Sequence, residues 1–263
     1  MQLASDGIFS HAAARASFPA NIPIDLGVKI YVAIERVAPA PYVEAMLAQA
    51  ALERGELARA QSYAKRLPES PARAELLGQI AQARGDRTGA QRYFLEANDV
   101  FAIRSEVNRL AKKDAVTAYG LELQLRDRLQ RTATHPDALA DANWGLGRLA
   151  TQRGYEQRDA AERRAWFERG MSDYVEAVQL APLAERYLIA AGSQALNLDD
   201  PKQARFYFKR AADANPASAD AYAGLGVAAF RTGDIAKART FAQLSRSYDP
   251  HSHFLHTLEA LLR

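Results

Sequence analysis

Three histidines, His251, His253 and His256, fall within six residues and are the only histidine cluster of the chain. A metal site needs ligands that converge on one face. His253 and His256 can share a helix face, but no carboxylate completes the set, so they read as solvated or interfacial histidines. The pair Asp199-Asp200 could be taken for acid/base carboxylates. It stands directly before Pro201, however, and aspartate followed by proline is a helix start, so the pair reads as capping chemistry. The chain contains no cysteine, which removes disulfides, thiolate nucleophiles and thiolate metal sites. It shows no nucleophile motif, no phosphate-cradling glycine loop and no zinc-protease signature. These residues predict no catalytic residue, no metal and no cofactor.

The charges support the same reading. There are 34 basic and 31 acidic residues, a net charge of +3, and the two signs are interspersed. A nucleic-acid partner is not expected, because the basic residues make only short pairs such as Lys112-Lys113 and Arg163-Arg164, not a stripe. No run of about 18 apolar residues occurs, so no transmembrane segment is expected. The opening MQLASDGIFSHAAARASF lacks the basic start and apolar core of a signal peptide. The compartment stays open: cytoplasmic, or periplasmic or membrane-tethered if a signal or anchor stood upstream and has been removed.

The elements that would carry such residues are set by a period. Pro182, Pro216 and Pro250 are each 34 residues apart. Ahead of them run Gly170, Tyr174, Ala177; Ala204, Phe208, Ala211; and Ala238, Ala242, Ser245, at steps of four and three that keep residues on one helical face. Each proline then stops its helix. A fixed period of this length signals stacked helical repeats. Gly27, Tyr31, Ile34 and Pro39 repeat the spacing on a helix expected over 24–38.

The segment SADAYAGLGVAAFRTGDIAKARTFAQLSRSYDP resembles a tetratricopeptide repeat through Tyr222, Leu225-Gly226, Gly233-Asp234, Ala238 and Pro250. The resemblance implies an all-α fold, a right-handed superhelical solenoid of antiparallel helix hairpins. On that pattern the chain divides into an N-terminal capping or partial repeat (1–40), two repeats (41–98) and an irregular helical pair (99–136) closed by Pro136. A repeat with an extended second helix (137–182), two regular repeats (183–250) and a capping helix (251–263) follow. In the extended repeat Gly154 is read as the turn. The eleven extra residues after it, YEQRDAAERRA, are expected to lengthen the second helix backwards to between Glu156 and Asp159 and to project beyond the array.

The resemblance also implies where a partner binds, because the first helix of each hairpin lines the concave groove. The groove residues in the C-terminal half are then Trp144, Arg148, Arg186, Ile189, Ser193, Asn197, Val227 and Arg231, with Gln49, Glu75 and Gln79 in the N-terminal half. Arginine and asparagine suit a carboxylate or acidic peptide, and Trp144 supplies an aromatic anchor. Ordinary solvated groove residues explain the same set equally well. Trp166 and Phe167, at the root of the long helix, are either packing residues or a second partner contact. The expected function is a non-enzymatic scaffold that binds a protein or peptide. The alternative is an assembly protein that self-associates or docks on a membrane or envelope complex through its projecting and terminal helices.

Overall fold

The computed structural model describes residues 40–132 and 136–263; the helix expected over 24–38 lies outside them. The described residues form thirteen α-helices and no strand. The chain divides into two compact units, Met1–Ile103 and Arg104–Arg263.

In the first unit α1 (Ala40–Glu53) pairs with α2 (Leu57–Arg66), and α3 (Pro71–Ala83) with α4 (Arg87–Ala97). Each pair turns at a glycine of positive φ, Gly55 at 74° and Gly85 at 79°, a conformation that side chains resist. Ser70 caps α3 by accepting from the amide of Arg73, and Asp86 caps α4 by accepting from that of Gly89. Ala60 and Ala64 of α2 and Leu67 just after it, spaced at four and three residues, are buried together with Leu76, Leu77 and Ile80.

Helix α5 (Val100–Ala111) begins in the first unit and continues into the second. There follow α6 (Ala115–Arg131), α7 (Pro136–Glu156), α8 (Ala160–Leu180), α9 (Glu185–Asn197), α10 (Pro201–Ala214), α11 (Ala219–Arg231), α12 (Ile235–Tyr248) and α13 (His253–Leu262). From α7 on, helices pair as antiparallel hairpins, and one apolar core runs through them from Ala140 to Leu258. Aspartates cap the second helices: Asp159, Asp200 and Asp234 accept from the amides of Glu162, Gln203 and Lys237. Asp200 is thus the expected capping residue.

One contact recurs in these hairpins. A glycine on the first helix leaves a notch, and an aromatic ring of the second helix fills it. A Cβ at Gly78 would stand 2.7 Å from the ring of Phe94, and one at Gly192 would stand 2.9 Å from that of Phe208. In each pair the ring follows the glycine by sixteen residues. The fully buried Phe208 ring is also seated on Gly224 of the next hairpin, where a Cβ would approach it to 2.4 Å. At Gly226 the residue sixteen later is Ala242, too small to fill the notch, and Leu258 of α13 enters instead, 2.3 Å from the Cβ position.

The long hairpin obeys the same rule and corrects two expectations. Gly147 receives the ring of Tyr174, 2.6 Å from its Cβ position, with eleven residues added to the usual interval. Those residues do not all go to the second helix. Compared with α9 and α10, the first helix runs four residues further beyond its glycine and the second starts seven residues further ahead of its ring, and both helices reach 21 residues. Gly154 is therefore a helical residue and not the turn. One heptad beyond Gly147, it receives the ring of Phe167, one heptad before Tyr174, at 2.4 Å. The second helix does start after Asp159, within the expected limits. The extension is a paired hairpin, not a single projecting helix. Pro136 opens α7 rather than closing the preceding pair, since a helix's first residue has no amide bond to lose.

Replacing Gly224 by alanine forces a methyl group against a ring that cannot move aside. Gly224→Ala should destabilise the chain by about 1–3 kcal/mol. Gly120, on α6, has open space around its Cβ position, so Gly120→Ala should stabilise by up to about 1 kcal/mol. Thermal unfolding of the two variants should move in opposite directions.

Candidate functional site

The first helices of the second unit, α7, α9 and α11, carry the residues expected to meet a partner. On α7, Asp141, Trp144, Arg148, Gln152 and Tyr155 recur at three- and four-residue steps, one helical face. On α9, Arg186, Ile189, Ser193 and Asn197 do the same. Trp144, Arg148, Ile189, Ser193 and Asn197 are half-buried, and Arg186 and Arg231 are exposed. Val227 is not on this surface: only 5% exposed, it belongs to the core around Leu225 and Ala228. Ser193 turns its hydroxyl inward to donate to the carbonyl of Ile189 at 2.8 Å, leaving only its remaining acceptor capacity.

The arginines are already engaged. Arg186 pairs with Asp141, and its guanidinium lies over the rings of Tyr187 at 4.6 Å and Trp144 at 5.8 Å. Tyr187 donates its hydroxyl to the same carboxylate at 2.5 Å, and Arg104 of α5 approaches it to 3.3 Å. Asp141 thereby joins α5, α7 and α9. Arg231 donates to Asp199 at 3.1 Å and to the carbonyl of Leu196 at 3.3 Å. Arg148 differs: it donates to the neutral carbonyl oxygen of Asn108 at 2.9 Å. Two of these three arginines are therefore paired with carboxylates of the chain itself. These pairs are solvent-exposed, the Arg186 and Arg231 side chains by 58% and 42%, and exposed pairs are weak, so a partner's charged groups can compete for them.

Asp199 holds Arg231 from a backbone conformation of φ 60°. It occupies, 34 residues earlier, the place of the turn glycine Gly233, whose φ is 82°. A non-glycine residue there is strained, and here it brings a carboxylate to the edge of the face.

Several residues of the site were hidden in the sequence. Tyr155, 65% exposed, donates its hydroxyl to Asn197 at 2.8 Å; reading Gly154 as a turn removed Tyr155 from the helix face. Gln194 is buried, donates to the carbonyl of Phe167 at 2.7 Å and accepts from Thr151 at 2.9 Å and Asn197 at 3.0 Å. It fixes the register of α7, α8 and α9. Glu122, on α6, is 1% exposed. Its Oε1 lies 3.6 Å from Arg104, beyond hydrogen-bond reach, and has no hydrogen-bond partner. Burial pushes its carboxyl up to about 7, against the pull of Arg104 and Arg148. The spacing of Asp141 from Trp144 was the one available signal for the acidic half of this network.

Elsewhere, Phe167 is buried between Gly154 and the ring of Tyr155, so it packs the hairpin and cannot touch a partner. Trp166 remains half-buried. The apolar face of α13 is spent inside, with Leu255 and Leu258 fully buried, leaving Leu261 exposed. His251, His253 and His256 are all exposed, and among the described residues no group of three metal-ligating side chains forms. No described helix is long and apolar enough to cross a membrane.

Residues 189–262 match the family model described as tetratricopeptide repeat. No curated protein matches the chain. The solved structure of the C-terminal part of a TPR repeat-containing protein from Cytophaga hutchinsonii is similar with a TM-score of 0.55 at 16% identity, covering 91% of this chain and 95% of that one. A Pseudomonas aeruginosa pilF structure gives 0.49 at 15% identity, covering 84% and 97%. YrrB, described as a TPR protein with an unusual peptide-binding site, gives 0.46 at 14%, covering 89% and 99%. Residues 189–262 are thus tetratricopeptide repeats by sequence, and the helical hairpins of the chain share the fold of a tetratricopeptide repeat structure.

Glu122 titrates near 7 in the folded chain and near its ordinary value of 4.5 when unfolded. Folding therefore takes up a proton between these values. The contribution of this group to stability is fully present below about 4.5 and is lost as the pH rises through 7. Asp173, pushed up to about 6 by burial, acts in the same direction over a narrower window. Glu122→Gln should flatten the pH dependence, raising stability above pH 7 by up to about 3 kcal/mol relative to the parent chain. Unfolding midpoints at pH 5 and pH 8 measure the difference.

Proposed function

We propose that the chain is a non-enzymatic scaffold whose inner face, formed by α7, α9 and α11, binds an extended or helical segment of a partner protein. The tetratricopeptide repeat is a protein-interaction fold, and the carrying observation is the composition of that face. Trp144, Ile189 and the exposed ring of Tyr155 offer apolar contact, and Arg148, Arg186, Asn197 and Arg231 surround them. Large aromatics and arginines concentrate binding energy at interfaces. Because Arg186 and Arg231 hold carboxylates of the chain itself, a partner's acidic side chains bind by exchange with Asp141 and Asp199. Arg148, held by a neutral amide, is the point where a carboxylate is accepted without displacing one. The partner class is an acidic segment with an apolar or aromatic residue to set against Trp144.

A random-peptide library panned on the chain tests this reading. Selected peptides should be acidic and should shift the emission of Trp144 in a Trp166→Phe background. They should lose at least about tenfold in affinity to Arg148→Glu combined with Arg231→Glu, while helicity stays unchanged. Selected peptides that bind the double variant equally well, or that leave Trp144 unperturbed, would place the partner surface elsewhere.

A further inference from the structure

A second cluster lies on the second helices α6 and α8. Trp166, Arg169 and Asp173 recur at three and four residues along one face of α8, and Tyr119 of α6 meets them. The rings of Tyr119 and Trp166 stand at 81° with centroids 5.6 Å apart, two walls of a corner. The guanidinium of Arg169 lies over both, 4.9 Å from the Trp166 ring and 5.8 Å from that of Tyr119. Behind the corner is the carboxylate of Asp173, 5% exposed, which accepts from the Tyr119 hydroxyl at 3.2 Å.

The arrangement is incomplete from the carboxylate's side. Arg169 and Asp173 are four apart on a helix, a spacing that normally brings such a pair together. Here the guanidinium rests on the rings, and among the described residues no cation reaches ion-pair distance of Asp173. A buried carboxylate held by one long hydrogen bond is unfavourable. The carboxyl is pushed up to about 6, chiefly by burial, against the Tyr119 bond and the more distant Arg126 and Arg169. Arg169 itself is exposed, and its cation–π contacts are weak at such a position.

We propose that Tyr119, Trp166 and Asp173 form a receptor for an arginine side chain of a partner protein, and that Arg169 occupies its mouth until that arginine displaces it. The chemistry selects arginine. A planar guanidinium stacks on an aromatic wall while its edge donates two bonds to a carboxylate, which an ammonium group does not match. An arginine arriving on a separate chain approaches along the corner and reaches Asp173, which Arg169, anchored on the same helix, does not. This contact is independent of the inner face and calls for a basic rather than an acidic segment.

The chain has two tryptophans, so Trp144→Phe leaves Trp166 as the only indole reporter. In that background a Gly-Arg-Gly peptide should change the emission saturably, and its citrulline counterpart, equal in shape but uncharged, should not. Arg169→Ala, or Arg169→Gln if the alanine variant unfolds, should tighten binding at least about fivefold by removing the internal occupant. Asp173→Asn, which keeps an acceptor for the Tyr119 hydroxyl, should weaken it about tenfold. Arg148→Glu with Arg231→Glu should leave the response intact. Equal binding of the citrulline peptide, or no gain in a folded Arg169 variant, overturns the proposal. An emission change that follows protein concentration without peptide would make a second copy the arginine donor and overturn the assignment to a different partner.

Discussion

A ring seated where a side chain is missing is the contact on which this structure depends. Two helices approach most closely where one of them gives up a Cβ, and a flat ring of the other can then fill the space. At Gly78, Gly147 and Gly192 the second helix supplies the ring. Because the partners are sixteen residues apart in an ordinary hairpin, the contact sets the phase of both helices and the length of the turn between them. Phe208 shows how the same contact joins one hairpin to the next: a single ring fills notches on α9 and on α11. Packing of this kind tolerates little change in volume, which makes neighbouring hairpins cohere without a shared centre.

Once the hairpins are in register, their first helices stand side by side and their polar residues must be matched. In the second unit they are matched mainly to each other. Asp141 gathers Arg104, Arg186 and Tyr187 from two neighbouring helices, and Asp199 takes Arg231 from a strained turn. A face of uncompensated arginines would repel itself. A face in which Arg186 and Arg231 rest against carboxylates of the chain itself, and Arg148 against a neutral amide, is stable alone. The buried members, Gln194 and Glu122, are of another kind: they hold helices together from within, and Glu122 does so with a lone pair left unmatched.

Much of the repeat fold was legible in the sequence because its signals are local and periodic. The prolines, the aspartate caps and the four-and-three spacing of Ala204, Phe208 and Ala211 all act within a few residues of where they stand. Gly154 was misread for a physical reason: glycine serves both as a turn residue of positive φ and as a notch for a ring, and only the presence of Phe167 opposite it, thirteen residues later, decides between them. The basic half of the inner face was visible as arginines on a helical face. Its acidic half was not, since Asp141 and Asp199 act across helices, and Asp199 looked like an ordinary capping neighbour. Val227 was misplaced because a small apolar residue on an inner face sinks into the core as soon as the next helix covers it.

The eleven-residue insertion is the clearest case of geometry producing new surface. In an ordinary hairpin of this chain the first helix ends five residues after its glycine, and the second begins seven before its ring. Tyr155 stands eight after Gly147, and Trp166 eight before Tyr174. Neither would be helical without the added residues. A single lengthening, stabilised by repeating the glycine–ring contact at Gly154 and Phe167, therefore places one aromatic beside Asn197 on the inner face and another beside Tyr119 on the second helices. Extending α8 alone, as a lone projecting helix, would have supplied Trp166 without Tyr155 and left Phe167 without a seat. The pairing of the two helices is what gives each of these aromatics a fixed seat.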